Sequence, residues 1–162
     1  MVVKSSSAIL RQLDLAYVAF FLGLRVNELV MDRTLKEGFT RVRESHGYVI
    51  QHLVETERTI TELARRMDIT QQAVSKIVAE LIDIGILEAL PAKDKRAKRI
   101  RLSPKGWRCV RLGKRARTRI DKLLVRAAGR NGYENAKSTL LTCLRALGGV
   151  ERIRSRRIRA PR

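Results

Sequence analysis

"TITELARRMDITQQAVSKIVAELIDIG", residues 59 to 85, is the stretch that decides how this chain folds. Thr59 and Glu62 have the spacing of a capping box, in which a hydroxyl and a carboxylate each take a backbone amide that the first helical turn leaves free. Leu63, Ala64 and Met67 follow on one side, so the spacing predicts a short helix. Thr70 then offers a second N-cap, and Val74, Ile77, Val78 and Leu81 form the inward stripe of a second helix that Gly85 closes. With that stripe buried, the outward face carries Gln72, Ser75, Lys76 and Ala79, with Gln71 beside them at the N-terminal end. Nothing large and apolar blocks that surface.

Downstream, residues 86–90 and 99–102 are short and extended in character, and Arg99-Ile100-Arg101-Leu102 alternates polar with apolar. They flank a basic loop as a hairpin flanks its turn. The segment "PAKDKRAKRIRLSPKGW", residues 91 to 107, holds seven basic side chains and one acid, Asp94. Ser103 followed by Pro104 is an N-cap and first-turn signal, so the hairpin hands over to a new helix there. Two short helices joined by about three residues and followed by a basic hairpin make the pattern of a winged helix-turn-helix. An α-helix fits the major groove of DNA, where glutamine can bond adenine in two places and lysine can reach guanine. The capped helix starts also offer free amides to phosphate oxygens.

The flanks read as further helices. Ile9, Leu13, Ala16, Tyr17, Phe20 and Leu24 recur at helical intervals, predicting one helix over 8–37 that Gly38 ends. A second, over about 41–55, carries Val42, His46, Val49, Ile50 and Leu53 on one face. A third runs from 104 to about 128, with Arg108, Arg111, Arg115, Arg119, Lys122 and Arg126 in an arc of about 80°. Cys109, Leu112, Ala116, Ile120, Leu123, Leu124 and Ala127 lie on the adjoining arc, with Gly113 where another helix could approach. Residues 129–132 read as a turn, and 134–147 as a last helix ended by Gly148-Gly149. The expected fold class is mainly α with a small β-hairpin wing. Its parts are an N-terminal dimerisation helix (1–37), a winged helix-turn-helix (38–103), a long basic helix with a C-terminal dimerisation helix (104–150) and a basic tail (151–162).

A chain of 162 residues with 44% apolar content fits one compact domain. No run approaches the roughly 18 apolar residues that span a bilayer, and no charged-then-apolar leader opens the chain, so the expectation is a soluble cytoplasmic protein without a membrane partner. The net charge of +19 is lopsided: residues 1–90 sum to −1 and residues 91–162 to +20. Such asymmetry points to a polyanion, most simply nucleic acid, although an acidic membrane surface or a disordered basic tail gives the same imbalance. The two cysteines have neither metal-ligand nor redox spacing, and GxSxG, HExxH and phosphate-cradling glycine loops are absent from the sequence. The sequence therefore implies no cofactor, no metal site and no enzyme.

The stretch from Thr59 to Gly106 resembles the MarR family, the multiple-antibiotic-resistance type of bacterial transcription regulator. The most specific element is the wing motif, here Asp94-Lys95-Arg96, then a strand, then Leu102-Ser103-Pro104-Lys105-Gly106. The resemblance implies that Arg96 enters the minor groove and that Asp94 braces the DNA-binding lobe through a salt bridge. It implies a homodimer with interlocking terminal helices, double-stranded DNA as partner, and a small aromatic or anionic effector in some members. Family members commonly carry an arginine just before the wing loop, where this chain has Ala89 and Leu90. The DNA-binding set expected is Thr70, Gln71, Gln72, Ser75, Lys76, Lys93, Asp94, Lys95, Arg96 and Lys98. Two-fold symmetry would call for a pseudo-palindromic operator with half-sites roughly 10 bp apart. The competing reading is an architectural protein that coats nucleic acid through its basic half.

Other features carry plainer readings. The arginine stripe is a solvated face or a contact for phosphate or an acidic effector. His46 shares a face with Val42, Val49 and Ile50 and reads as a packed core histidine rather than a ligand or pH sensor. Cys109 and Cys143 sit within apolar stripes, which predicts burial and inertness rather than redox sensing. The tail, "ERIRSRRIRAPR", reads as disordered or as an auxiliary DNA-binding arm.

Overall fold

A computed structural model describes residues 10–91 and 98–150. Its main elements are helices and a three-stranded sheet in the order α1 (Leu15–Lys36), α2 (Glu44–His52), β1 (Arg58–Thr59), α3 (Ile60–Met67), α4 (Gln71–Asp83), β2 (Leu87–Ala89), β3 (Arg99–Leu102) and α5 (Pro104–Ala146). The architecture is mainly helical with a small antiparallel sheet, a winged helix-turn-helix set beside two long helices.

The first long helix begins later than its periodicity suggests. The Asp14 carboxylate accepts the Tyr17 amide at 2.8 Å, so helix α1 starts at Leu15 rather than running unbroken from residue 8. A short polar side chain that captures a nearby amide competes with continuation of the helix through it. The other end follows the expectation: Gly38 takes φ 89°, its amide bonds Leu35 carbonyl, and Phe39 amide bonds Thr34 carbonyl. That pair is a Schellman cap, for which a residue free of a Cβ is favoured.

Helix α2 is shorter than the 41–55 read from the sequence, because residues 40–43 make a turn first, with Val42 amide bonded to Phe39 carbonyl. Its expected inward residues, Val42, His46, Val49, Ile50 and Leu53, are all buried. They share one core with Leu63 and Met67 of α3, Val74, Val78 and Leu81 of α4, Ile100 and Leu102 of β3, and Cys109 and Leu112 of α5. Ile77, expected in the α4 stripe, packs against the rim of that core and is half-buried.

In the sheet β3 is central. Leu87, Glu88 and Ala89 pair with Leu102, Arg101 and Ile100, and on the other side Arg58 and Thr59 pair with Ile100 and Arg99. The alternation of β3 puts Ile100 and Leu102 inside and Arg99 and Arg101 outside. Strand β1 is two residues long, too short to leave a period in the sequence, and it exists because β3 would otherwise have an unpaired edge.

The motif Leu102-Ser103-Pro104-Lys105-Gly106 turns out to be a clasp. Ser103 amide bonds Ile86 carbonyl at 3.0 Å, and its hydroxyl donates to Gly85 carbonyl at 2.6 Å while accepting the Gly106 amide at 3.0 Å. Lys105 ammonium reaches Ile84 carbonyl at 2.7 Å. A Cβ on Gly106 would lie 2.2 Å from Ile86 carbonyl oxygen, so only glycine lets the first turn of α5 come this close. The clasp ties α5 to the C-terminal end of α4.

The span α5 is the two expected helices joined across a kink: Gly129, at φ 72° and ψ 161°, breaks it where the first was expected to end, and the turn expected over 129–132 shrinks to that one residue. One left-handed glycine suffices to redirect the chain, and residues 130–132 resume the helix. Helix α1 packs chiefly along α5. Cys109, Leu112, Ala116 and Ile120 are buried as expected, but Leu123 is 55% exposed and Ala127 is exposed, so the apolar arc is covered only in its first half.

Candidate nucleic-acid interface

Helices α3 and α4 are joined by Asp68, Ile69 and Thr70, the three-residue turn expected. Asp68 adopts the left-handed conformation at φ 57°, and Ile69 amide bonds Ala64 carbonyl, which closes α3. Both predicted caps are formed. Thr59 hydroxyl accepts the Glu62 amide at 3.2 Å while Glu62 carboxylate accepts the Thr59 amide at 2.7 Å. The bond from Thr59 holds the Glu62 carboxyl below its usual range. Thr70 hydroxyl accepts the Ala73 amide at 3.2 Å, leaving the amides of Gln71 and Gln72 at the α4 start without a helical partner.

The outward face of α4 is as the stripe predicted. Thr70, Gln71, Gln72, Lys76 and Ala79 are exposed and Ser75 is half-buried, while Val74, Val78 and Leu81 behind them are buried at 2% exposure or less. At 100° per residue, Gln72, Ser75, Lys76 and Ala79 fall within about 100° of arc. The surface is narrow, polar and projecting, with donors and acceptors at its N-terminal end and a cation one turn on. Such a surface can enter a major groove and exchange hydrogen bonds with base edges.

At the wing, Lys93, Asp94, Lys95 and Arg96 lie outside the described residues, and Lys98 stands exposed at the foot of β3. The two arginines of β3 do not join the interface as free cations. Arg99 pairs with Glu57 at 3.2 Å and Arg101 with Glu88 at 2.7 Å. They brace the hairpin across its strands.

Sequence reasoning missed what holds α4 in place from behind. Buried His46 accepts the Arg43 amide at Nδ1, 3.2 Å away, and its Nε2 lies 3.2 Å from Glu80 Oε2. A neutral ring with its proton on Nε2 satisfies both bonds. Arg43 also pairs with Glu80, and Arg41 with Asp83 one turn further along. Hydrogen bonds from His46 first, then Arg43, hold the Glu80 carboxyl below its ordinary range. Thus α2 grips the far side of the helix whose near side faces outward. The signal was available, because Glu80 and Asp83 sit on the flank of a helix that otherwise offers no acid, but nothing in the spacing names their partners 34 to 42 residues away. His46 is a packed core residue, as its face implied. Burial also pushes the Cys109 thiol up, whereas Cys143, expected to be buried, is half-exposed.

Against known proteins, residues 38–97 match the model of the MarR family. The fold recurs in MepR, a transcription regulator of the multidrug efflux pump MepA in Staphylococcus aureus. A MepR mutant bound to an oligodeoxyribonucleotide superposes with TM-score 0.62 at 18% identity, over 84% of this chain and 99% of that one. MepR bound to ethidium bromide gives TM-score 0.59 at 18% identity, over 85% and 99%. Escherichia coli MarR in its apo form gives TM-score 0.63 at 16% identity, over 82% and 97%. No curated protein sequence matches. The match to the MarR family's model thus covers the winged-helix segment, and the chain as a whole has the fold seen in MepR and MarR. Among the described residues, no helix is long and apolar enough to cross a membrane.

Proposed function

We propose that this protein is a homodimeric, sequence-specific transcription regulator acting in the cytoplasm, a repressor that a small-molecule effector releases from its operator. The observation that carries the reading is the outward face of α4, where Gln71, Gln72, Ser75 and Lys76 project from a capped helix that α2, β2 and α5 hold from behind. A solvated helix face needs no such bracing. Lys93, Lys95, Arg96 and Lys98 form the wing, with Arg96 in the minor groove and Asp94 as its orienting acid. MepR, with the same fold, has been seen with an oligodeoxyribonucleotide and with ethidium bromide, which supports a DNA partner and a small effector here.

The dimer rests on α1. Tyr17, Phe20 and Phe21 are each more than half exposed, and Leu22 and Leu24 are 42% exposed, an apolar surface too continuous for water. A second copy covers it, with residues 1–37 and the distal part of 104–150 as the dimerisation layer and 38–103 as the DNA-binding unit. Two recognition helices on one duplex face then require a pseudo-palindrome with half-sites about one helical turn apart.

The test is fluorescence anisotropy on the duplex upstream of the protein's own gene and on a shuffled duplex. Arg96→Ala should weaken binding to the bound duplex by about 10- to 100-fold while the dimer survives; unchanged affinity would remove the wing from the interface. The +20 half supports a second reading, an architectural protein that coats nucleic acid. Purely electrostatic binding loses about 10³- to 10⁵-fold between 50 and 200 mM salt whatever the sequence, whereas a regulator keeps a gap of roughly 10³ or more between operator and random DNA.

A further inference from the structure

The basic stripe of α5 is not uniformly solvated. Its first four arginines, Arg108, Arg111, Arg115 and Arg119, line a cleft with Arg33 and Glu37 from the C-terminal end of α1. Phe39, Leu112 and Ala116 form the floor, each buried. Five guanidinium groups thus face one acid. Glu37 is already taken by Arg33 Nη2, and among the described residues none of the four α5 arginines has an ion pair or hydrogen bond. The Arg33 Nε is buried without a hydrogen-bond partner.

This arrangement is unfavourable as it stands. Like charges four residues apart on a helix repel by roughly 0.2–0.5 kcal/mol per pair, and the cleft adds a fifth cation from another element. A merely soluble helix face would spread such charges or intersperse acids. An anion in the cleft reverses the sign of every one of these terms. Guanidinium groups bind phosphate oxygens through two parallel hydrogen bonds, which a point charge such as lysine cannot do. Neighbouring arginines in the row are about 5–6 Å apart at Cβ, a spacing that several linked phosphates can bridge.

The cleft is set apart from the surface of α4 that faces outward. Phe39 on its floor also lines the depression with Asp83 and Ile84, at the C-terminal end of α4. Gln71 and Gln72 are at the opposite end of that helix, about 20 Å away along its axis. A duplex seated on the α4 N-terminus does not need these arginines for its phosphates.

We propose that the α1–α5 cleft is a binding site for a small polyphosphate anion, of the pyrophosphate or nucleoside di- and triphosphate class. Arg111 and Arg115 at its centre grip the phosphates, and Glu37 limits affinity by competing for Arg33. Binding itself does not depend on the regulator reading; any effect of the anion on DNA affinity does rest on it.

Isothermal titration of the full-length protein with inorganic pyrophosphate and with ATP, against sulfate at matched ionic strength, tests the site. Saturable binding of one anion per chain is expected, weakened about tenfold or more by Arg111→Ser and by Arg115→Ser. Arg126→Ser, on the same stripe beyond the cleft, should leave it unchanged, and Glu37→Gln should tighten it. The last variant gains rather than loses binding, so it guards against misreading an unfolded protein. ATP binding more tightly than pyrophosphate would assign a nucleotide, and equal affinity the phosphates alone. The proposal fails if pyrophosphate and ATP bind no better than sulfate, or if Arg126→Ser weakens them as much as Arg115→Ser. It also fails if there is no anion binding and the central variants instead weaken duplex binding or convert a dimer to monomers on light scattering. In those cases the arginines serve DNA or the acids of a second copy.

Discussion

The winged helix-turn-helix and the pair of long helices solve the burial problem in opposite ways. From Phe39 to Ile120 the chain closes on itself. Caps at Thr59, Thr70 and Ser103 satisfy helix starts, the Ser103 clasp ties α5 to α4, and His46 with Arg43 ties α2 to α4. Helix α1 is capped at both ends, at Asp14 and at Gly38, but it and the second half of α5 leave much of their apolar side uncovered. Tyr17, Phe20, Phe21 and Leu123 stand in solvent, as does Leu147 just past the end of α5, and on the first half of α5 the arginines from Arg108 to Arg119 have no counter-charge among the described residues. The lobe is held rigid by its own residues, and the long helices carry the surfaces for which a second copy and an anion are proposed.

The comparison breaks first at Gly106. If the lobe is as self-determined as its contacts imply, Gly106→Ala must force Ile86 carbonyl away from a Cβ that would lie 2.2 Å from it. Overpacking of this kind costs about 3 kcal/mol, which would show as a fall in thermal midpoint and loss of duplex binding together. A normal midpoint would mean that the α4–α5 junction is plastic and that the lobe is less rigid than described. The next effect belongs to the other region. Phe20→Glu places a charge in the middle of the exposed apolar face of α1, where Phe20 is 60% exposed. Dimerisation should weaken by roughly 2 kcal/mol, or about 30-fold, as for the loss of an interface anchor, and sedimentation should show monomers at dilution. The lobe should still melt as before; a dimer unchanged by Phe20→Glu would put its interface elsewhere.

The same division explains how much was legible in the sequence. Local devices were readable: capping residues three apart, a glycine after an apolar stripe, Ser-Pro at a helix start and the alternation in β3. Each is written within one turn or one strand of the residue it governs. What was not readable depends on distant partners or on a single competing bond. Asp14 starts α1 late by capturing one amide, β1 forms only because β3 offers an edge, and Glu80 meets Arg43 and His46 across more than 30 residues. Helical periodicity correctly placed Arg108 to Arg119 on one face, but only folding brings Arg33 and Glu37 opposite them. The outward set Gln71, Gln72, Ser75 and Lys76 was legible because exposure follows from which side of the helix is apolar, and Ile77 shows how coarse that rule is at the edge of a stripe.

The smallest effect sharpens the comparison through acid. Among the described residues the carboxyls held clearly below their ordinary range are Glu62 and Glu80, and both lie in the closed lobe. A carboxyl whose pKa is lower in the folded than in the unfolded chain stabilises the fold fully above its unfolded value, near 4.5, and loses that contribution as pH falls through the lowered folded value. Acid should therefore loosen the lobe while leaving the apolar face of α1, which titrates nothing at Phe20 or Phe21, able to associate. Glu62→Gln keeps an oxygen to accept the Thr59 amide but cannot be protonated there. Its midpoint should sit slightly below that of the parent near neutral pH and converge with it as the pH is lowered past 4.5, since the parent loses the charged cap and the variant has none to lose. Thermal melts across that range read the difference directly. Curves that stay parallel down to the acid limit would mean that the charge on Glu62 contributes nothing to the α3 cap, and that the lobe's rigidity comes from its apolar core and backbone bonds alone.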